Sequence, residues 1–215
     1  EQTYQFEIAQ FYCELAQAAL FKSDLETARD NVRKALDANK KCTRANMILG
    51  DIESKQGDFP AAVAAYGAIE QQNHAYLSMV GEKLYDAYAA QEKQEEGLNV
   101  LIGYMETFPD LDLINVIYEK SLLLKGEGPA AETAVELVRR KPDLNGVYRL
   151  LGLKLSDMNP AWKADADMMR AVVGRQLQKS VMYRCRNCHF KSQVFFWHCP
   201  ACNKWETFTP NRIEV

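Results

Sequence analysis

The chain has 215 residues, of which 47% are hydrophobic, and it carries a formal net charge of −3. These values allow a sizeable buried core and argue against general nucleic-acid binding, which favours a basic chain. The sequence contains no run of about twenty apolar residues, so none of its segments is predicted to span a membrane.

From the N-terminus onwards, the sequence repeats a helical pattern at a shift of 34 residues, which pairs Leu15 with Leu49 and Ala28 with Ala62. Small residues recur where two helices would approach closely, and large residues recur where they would fill the space between them. This pattern resembles the tetratricopeptide repeat, a helix-turn-helix unit. We therefore predict an all-α solenoid over residues 1–180, with units at 9–42, 43–76, 78–111 and 111–144 and a degenerate pair at 145–180.

The predicted helix ends carry the residues that begin or stop helices. Asp24 and Asp58 are candidate N-caps, and Pro60 lies in a first turn, where its missing N–H costs little. Pro109 and Pro142 are expected to follow the ends of second helices, because the residue before a proline is disfavoured in the helical conformation.

The N-terminal end of the array lacks a polar cap before its first unit. Residues 1–8 are interpreted as the tail of an earlier repeat, and solenoids require polar ends. We therefore expect further repeats before this segment in the natural protein. An apolar face on the first helix is the expected sign, whereas a well-formed polar face would contradict the expectation.

The first helices of such repeats line a concave face, and here they carry one acidic residue per repeat: Asp51, Asp86 and Glu119. An acidic stripe of this kind favours a basic or polar partner. The alternative is a solvated face without a partner. The Lys and Asn set with which some members of this repeat family grip C-terminal carboxylates is missing.

Four of the six cysteines form two Cys-x-x-Cys pairs, with ten residues between the pairs: Cys185, Cys188, Cys199 and Cys202. Two such turns facing each other place four thiolates around one tetrahedral metal ion. A disulfide framework is typical of small secreted domains without a core, so a structural metal is the favoured interpretation. Iron and zinc both suit four thiolates, and the sequence does not choose between them. His189 and His198 are not needed as ligands.

Residues 181–215 are predicted to form a small metal-binding β ribbon, with strands at Met182–Arg184 and Lys191–Trp197. Cys-Pro-Ala-Cys resembles a rubredoxin knuckle, although His189 and Asn203 stand where rubredoxins carry glycine. The ribbon has more aromatic side chains than it can bury. We expect some of them to dock on the last helical pair, near Trp162, Met168, Met169 and Val172.

Tetratricopeptide repeats that run into a short rubredoxin-like ribbon resemble the cytoplasmic part of the lipopolysaccharide assembly protein B family of Gram-negative bacteria. The resemblance implies a non-enzymatic adaptor on the cytoplasmic face of the inner membrane, anchored by an N-terminal helix that precedes this segment. It implies partners among lipopolysaccharide-synthesis proteins and a membrane AAA+ protease of the FtsH type, which degrades the deacetylase that commits precursors to lipid A. It also assigns one iron or zinc ion to the four paired cysteines.

The sequence is also compatible with other functions. One is electron transfer at an iron centre, and another is a generic repeat scaffold with a structural zinc ribbon. Nucleic-acid binding by residues 181–215, which carry five Lys or Arg residues against two acidic ones, is the least favoured, and no nucleic-acid partner is predicted. No catalytic motif is found, so the protein is predicted not to be an enzyme. Homo-oligomerisation stays open.

Overall fold

A computed structural model of the protein describes residues 2–154, 160–179, 183–208 and 210. In these ranges the chain forms ten α-helices, one turn of 3-10 helix and two short strands. The chain divides into two compact units, residues 1–97 and 98–215.

The first unit consists of consecutive helices that pack as pairs: α1 (Gln2–Phe21), α2 (Leu25–Ala38), α3 (Thr43–Gln56), α4 (Phe59–Asn73) and α5 (Leu77–Ala89). A 3-10 turn at His74–Tyr76 precedes α5, and α6 (Gln94–Thr107) crosses the boundary between the units. The main pairs are α1 with α2 and α3 with α4. The helices α2 and α4 begin 34 residues apart, as do α3 and α5. The predicted tetratricopeptide-repeat fold is therefore confirmed.

The second unit continues this pattern with α7 (Ile114–Lys125), α8 (Glu127–Arg140), α9 (Leu144–Lys154) and α10 (Pro160–Lys179). α7 packs against α8, and α9 against α10. Two antiparallel strands follow, β1 (Tyr183–Arg184) and β2 (Lys191–Ser192), in which Tyr183 pairs with Ser192 and Arg184 with Lys191. This is the expected all-α array with a small C-terminal β ribbon.

Close packing within a repeat depends on small residues where two helices meet. Gly50 of α3 faces the ring of Tyr66 of α4 so closely that a Cβ atom at Gly50 would overlap the ring. The Tyr66 side chain is fully buried, and its hydroxyl donates a hydrogen bond of 2.7 Å to Asp51 Oδ1. Four alanines at equivalent places have no exposed surface: Ala16, Ala28, Ala62 and Ala130. The predicted role of these positions is therefore confirmed.

The predicted helix caps are also confirmed. Asp24 Oδ1 accepts a hydrogen bond of 3.1 Å from the N–H of Thr27, and Asp58 Oδ1 accepts one of the same length from the N–H of Ala61. Each carboxylate satisfies a donor that the first helical turn leaves without a partner. Gly57 ends α3 in the left-handed conformation, with a φ of +80°. α6 and α8 end two residues before Pro109 and Pro142, respectively.

The first helix exposes an apolar stripe. Tyr4, Ile8, Phe11 and Leu15 recur at helical spacing, and their exposed fractions range from 44% to 73%. The polar face that would contradict an earlier repeat is therefore not found on α1, and the expectation stays a prediction. Residues 1–8 were interpreted as the tail of an earlier repeat, which is wrong for residues 2–8, because α1 runs unbroken from Gln2 to Phe21.

The ribbon strands are shorter than predicted. β2 ends at Ser192 and does not extend to Trp197. Ser192 Oγ accepts a hydrogen bond of 2.9 Å from the N–H of Val194, so the backbone turns instead of continuing the ladder. The predicted strand residue Met182 lies outside the described residues.

We expect Gly50→Ala to lower the free energy of unfolding by about 1–3 kcal/mol, because the new methyl group overlaps the Tyr66 ring. Gly67→Ala is the matched control, since a Cβ atom at Gly67, also inside a helix, meets nothing within 4 Å. The free energy of unfolding of the control should rise by about 0.5–1 kcal/mol, because alanine is favoured over glycine inside a helix. Urea unfolding followed by far-ultraviolet circular dichroism measures both changes, and equal effects would contradict the prediction.

Candidate metal centre

The structure brings the four paired cysteines together, with their sulfur atoms all within 4.8 Å of one another. The Sγ atoms of Cys185 and Cys202 are 3.8 Å apart, and those of Cys188 and Cys199 are 3.7 Å apart. A tetrahedral ion with metal–sulfur bonds of about 2.3 Å requires sulfur–sulfur edges of about 3.8 Å. The four thiolates therefore fit one tetrahedral iron or zinc ion.

The two Cys-x-x-Cys turns have the same backbone geometry. In the first, the N–H of His189 donates to the carbonyl of Cys185 at 3.0 Å, and in the second, the N–H of Asn203 donates to that of Cys199 at 2.9 Å. His189 and Asn203 both adopt left-handed backbone conformations, with φ values of 63° and 55°. Their sequence positions are those at which rubredoxins carry glycine, and asparagine adopts this conformation more readily than most other residues.

The surroundings of Cys185 favour the thiolate form that binds metal, whereas burial and hydrogen bonds with the other three cysteines raise the pKa of Cys188. Burial alone would raise the pKa of Cys185, but hydrogen bonding to Thr207 and to the backbone N–H groups of Cys188 and Asn187 lowers that pKa to about 6. Thr207 Oγ1 lies 3.2 Å from Cys185 Sγ, and the N–H of Cys188 donates to the same sulfur at 3.4 Å. A deprotonated sulfur at neutral pH is the state that a metal ion requires.

The segment after the second cysteine pair closes the ribbon, which the sequence analysis did not predict. The N–H of Arg186 donates to the carbonyl of Thr207 at 2.7 Å, and Cys185 forms a β-bridge with Phe208. Phe208 is fully buried, and the rings of Phe195 and Phe196 lie at 6.3 and 5.7 Å from its ring. The alternation of Trp205, Glu206, Thr207 and Phe208 was the signal that could have identified this segment.

The expected docking of ribbon aromatics near Trp162, Met168, Met169 and Val172 is wrong. These four side chains of α10 are 50% to 64% exposed. The ribbon instead buries aromatic surface internally, with Phe195 edge-on to Tyr183 at 5.5 Å and to Trp197 at 5.1 Å. The fully buried Phe208 is therefore the centre of a small core within the ribbon itself.

The two histidines beside the cysteines make other contacts. His189 Nδ1 lies 2.9 Å from a guanidinium nitrogen of Arg184. His198 Nε2 lies 3.0 Å from the carbonyl oxygen of Asn203, and its ring stacks on Trp205 with a centroid distance of 4.4 Å. Neither belongs to the cysteine cluster found among the described residues, in agreement with the interpretation that four thiolates suffice.

The three acidic residues predicted on the concave face have different surroundings. Asp51 accepts hydrogen bonds from Lys83 Nζ at 2.8 and 2.9 Å, so a cation from the next repeat offsets its charge. Asp86 lies on the wall of the same cavity as Asp51. Glu119 lies 3.8 Å from the guanidinium of Arg149. The acidic stripe therefore remains a prediction, and a cationic side chain lies close to Asp51 and to Glu119.

The fold and the cysteine cluster define a tetratricopeptide-repeat array followed by a rubredoxin-type metal-binding ribbon. A family model described as "Rubredoxin metal binding domain" matches residues 183–210. Over most of its length, the sequence is similar to lipopolysaccharide assembly protein B, with 26% identity over 207 residues to the Escherichia coli K12 protein and 25% over 214 residues to the Haemophilus influenzae protein. The resemblance inferred from the sequence is thereby confirmed.

These alignments cover 96% and 97% of this chain and 53% of each relative, so the chain spans about half the length of the curated relatives it matches. The solved structure of pilF from Pseudomonas aeruginosa matches with a TM-score of 0.50 and 16% identity, over 80% of this chain and 77% of that chain, which bears on the fold alone. Among the described residues, no helix has both the length and the apolar character needed to cross a bilayer.

We expect Cys199→Ser to abolish stoichiometric metal binding, because the loss of one thiolate opens the tetrahedral site. Metal content by mass spectrometry should fall, and the near-ultraviolet circular dichroism of the ribbon aromatics should weaken while helical content stays constant. Cys42→Ala is the control, since Cys42 lies in the first unit and outside the cluster. Full metal retention in Cys199→Ser would contradict this assignment.

We expect Thr207→Val to weaken metal binding by about tenfold, because it removes the hydroxyl next to Cys185 Sγ without changing the side-chain shape. Competition with a chromogenic chelator measures the affinity. Thr133→Val is the matched control, because the Thr133 hydroxyl bonds only to the backbone of its own helix at Pro129. Equal affinities of the two variants would exclude a role for the Thr207 hydroxyl.

Proposed function

We propose that this protein is a non-enzymatic adaptor in lipopolysaccharide assembly, acting at the cytoplasmic face of the inner membrane. The observation that carries the proposal is a four-cysteine ribbon after a tetratricopeptide array, in a chain that aligns with lipopolysaccharide assembly protein B over 96% of its length. Repeat arrays expose extended surfaces that are suited to holding partner proteins.

A cavity of about 510 Å³ in the first unit supports a partner-binding role. Its wall contains Phe59 of α4 and Phe21 at the end of α1, and the Phe21 side chain is 91% exposed. The wall also carries the carboxylates of Asp51 and Asp86, and Lys83 forms an ion pair with Asp51. An apolar wall next to the Asp86 carboxylate suits a partner segment that combines an apolar side chain with a basic or polar one.

The described residues offer little that favours catalysis. The pKa values that shift most belong to the metal-binding cysteines and to Tyr66. Burial and the neighbouring Asp51 raise the pKa of Tyr66, which packs inside its repeat and serves the fold. These perturbed groups therefore have structural explanations.

More specifically, the protein would control the synthesis of lipid A. The adaptor would present the deacetylase of the committed step to a membrane AAA+ protease of the FtsH type and would gather other lipopolysaccharide-synthesis proteins nearby. The metal ribbon would keep the C-terminal contact surface folded, because so small a domain depends on its metal ion for stability. This finer role comes from the family resemblance.

The test uses the full-length protein, captured from membranes by an affinity tag, with its bound proteins identified by mass spectrometry and the lifetime of the deacetylase followed in cells. Cys199→Ser should lengthen that lifetime severalfold because the ribbon loses its metal, whereas Cys42→Ala should not. Asp86→Asn should reduce capture of a partner held in the first-unit cavity, and Asp30→Asn, at an exposed site on α2, is its control. An unchanged lifetime after complete metal loss would overturn the proposed role of the ribbon.

Electron transfer is a second candidate, favoured by the same set of four thiolates, because a tetrahedral arrangement of four sulfurs suits iron as well as zinc. An iron-loaded protein would be coloured and would show a reversible redox couple. A colourless protein that contains one zinc ion would exclude this candidate and would leave the adaptor role untouched.

A further inference from the structure

The last helical pair encloses a second cavity, of about 340 Å³, which we call the Arg170 cavity. Tyr148 of α9 lies on one side, and residues from one side of α10 form the other. The polar side chains of α10 on its wall are Asp167, Arg170, Arg175 and Gln178. This site is separate from the metal centre and from the cavity in the first unit.

Arg170 is held in place by packing. Its guanidinium carbon lies 4.7 Å from the centre of the Tyr148 ring, in a cation–π contact. A Cβ atom at Gly152 would lie 3.1 Å from the same carbon, so the guanidinium lies close to the α9 backbone at a position where glycine leaves room. Arg170 Nε is buried and has no hydrogen-bond partner among the described residues. The cation is therefore positioned by packing, and no described acidic residue forms an ion pair with it.

Three other arginines of the array are each neutralised by an acidic residue on another helix. Arg29 pairs with Glu53, Arg44 with Glu14 at 2.7 Å, and Arg140 with Glu106 at 3.0 Å. Neither Arg170 nor Arg175 forms an ion pair with an acidic residue in the part of the chain that the structure describes. Two guanidinium groups thus share one cavity in which Asp167 is the single acidic residue on the described wall.

The chemistry of the cavity selects carboxylates. A guanidinium group offers a planar fork of donors that matches a carboxylate or a phosphate. The Asp167 carboxylate on the wall disfavours a doubly charged phosphate more than a singly charged carboxylate. Arg170 and Arg175 are five residues apart on α10, which is about 7.5 Å along the helix axis and about 140° around it. The two arginines can therefore each contact a different carboxylate of one acidic segment.

We propose that the Arg170 cavity docks an acidic segment of a partner protein that carries two or more Asp or Glu residues. The chain as a whole carries a net charge of −3, so an acidic segment is attracted to this cavity more than to the average surface. This inference rests on the proposed adaptor function and names the chemistry of one partner segment.

The test measures binding of a fluorescent peptide of alternating Glu and Ser, with a peptide of alternating Gln and Ser and inorganic phosphate as comparison probes. Fluorescence anisotropy gives affinity, and nuclear magnetic resonance follows the amides of Gly152 and Gly174 and the Arg170 Nε–H signal. We expect Arg170→Gln and Arg175→Gln each to weaken binding of the Glu peptide by about tenfold, as expected for the loss of one charge-assisted contact.

Arg139→Gln is the matched control, because Arg139 is exposed in the last turn of α8 and lies off the cavity wall. It should change the affinity for the Glu peptide less than twofold.

Equal weakening of peptide binding by all three variants would indicate unspecific electrostatic attraction. Larger nuclear magnetic resonance shifts with phosphate than with the Glu peptide would identify a phosphate site. No binding of the Glu peptide would exclude the docking site. Each of these results overturns the proposal. Arg175 makes no ring contact with Tyr148, so its variant tests binding even if Arg170→Gln disturbs packing.

Capture of partner proteins from membranes by the full-length protein distinguishes a failure of this docking site from a failure of the adaptor function. If full-length Arg170→Gln loses the peptide but still captures all lipopolysaccharide-synthesis partners, the adaptor function stands and the cavity is not its docking site. If the Glu peptide binds the wild-type cavity but no such partner is captured by the wild-type protein, the adaptor function fails and the acidic-segment site stands without it.

Discussion

The close approach of two helices within each repeat is the interaction on which the rest of the array depends. A residue without a large side chain on one helix faces a bulky one on the other, as Gly50 faces Tyr66. Polar links then tie one repeat to the next at nearly constant sequence separations: Lys83 to Asp51 over 32 residues, and Arg140 to Glu106 and Arg149 to Asn115 over 34. Neighbour-to-neighbour contacts of this kind let each repeat stabilise the following one.

The ribbon is stabilised differently from the helical array, because its apolar core is small and is centred on the fully buried ring of Phe208. Metal binding must supply most of its folding free energy. Four thiolates around a divalent ion leave a net charge of about −2. The basic side chains of the ribbon, such as Arg184 and Lys204, offset part of this charge. They therefore have an explanation that does not require a nucleic-acid partner.

The two units offer different binding chemistry. The cavity of the first unit combines exposed apolar surface with Asp86 and a balanced Asp51–Lys83 pair. The Arg170 cavity of the second unit presents two guanidinium groups without acidic partners among the described residues. An adaptor that holds two partners must discriminate between them, and surfaces of unlike charge achieve this by attracting one segment and repelling the other.

The helical repeats, the caps at Asp24 and Asp58 and the four metal ligands could be predicted from the sequence, because local spacing and residue type encode each of them. The tertiary structure sets which charged side chains pair with one another. It placed Lys83 on Asp51 and Arg149 near Glu119, and it buried Phe208 beneath the first cysteine turn. These contacts join residues far apart in the chain. Periodicity indicates which face a side chain occupies, but the position of the neighbouring helix or turn decides what it meets there.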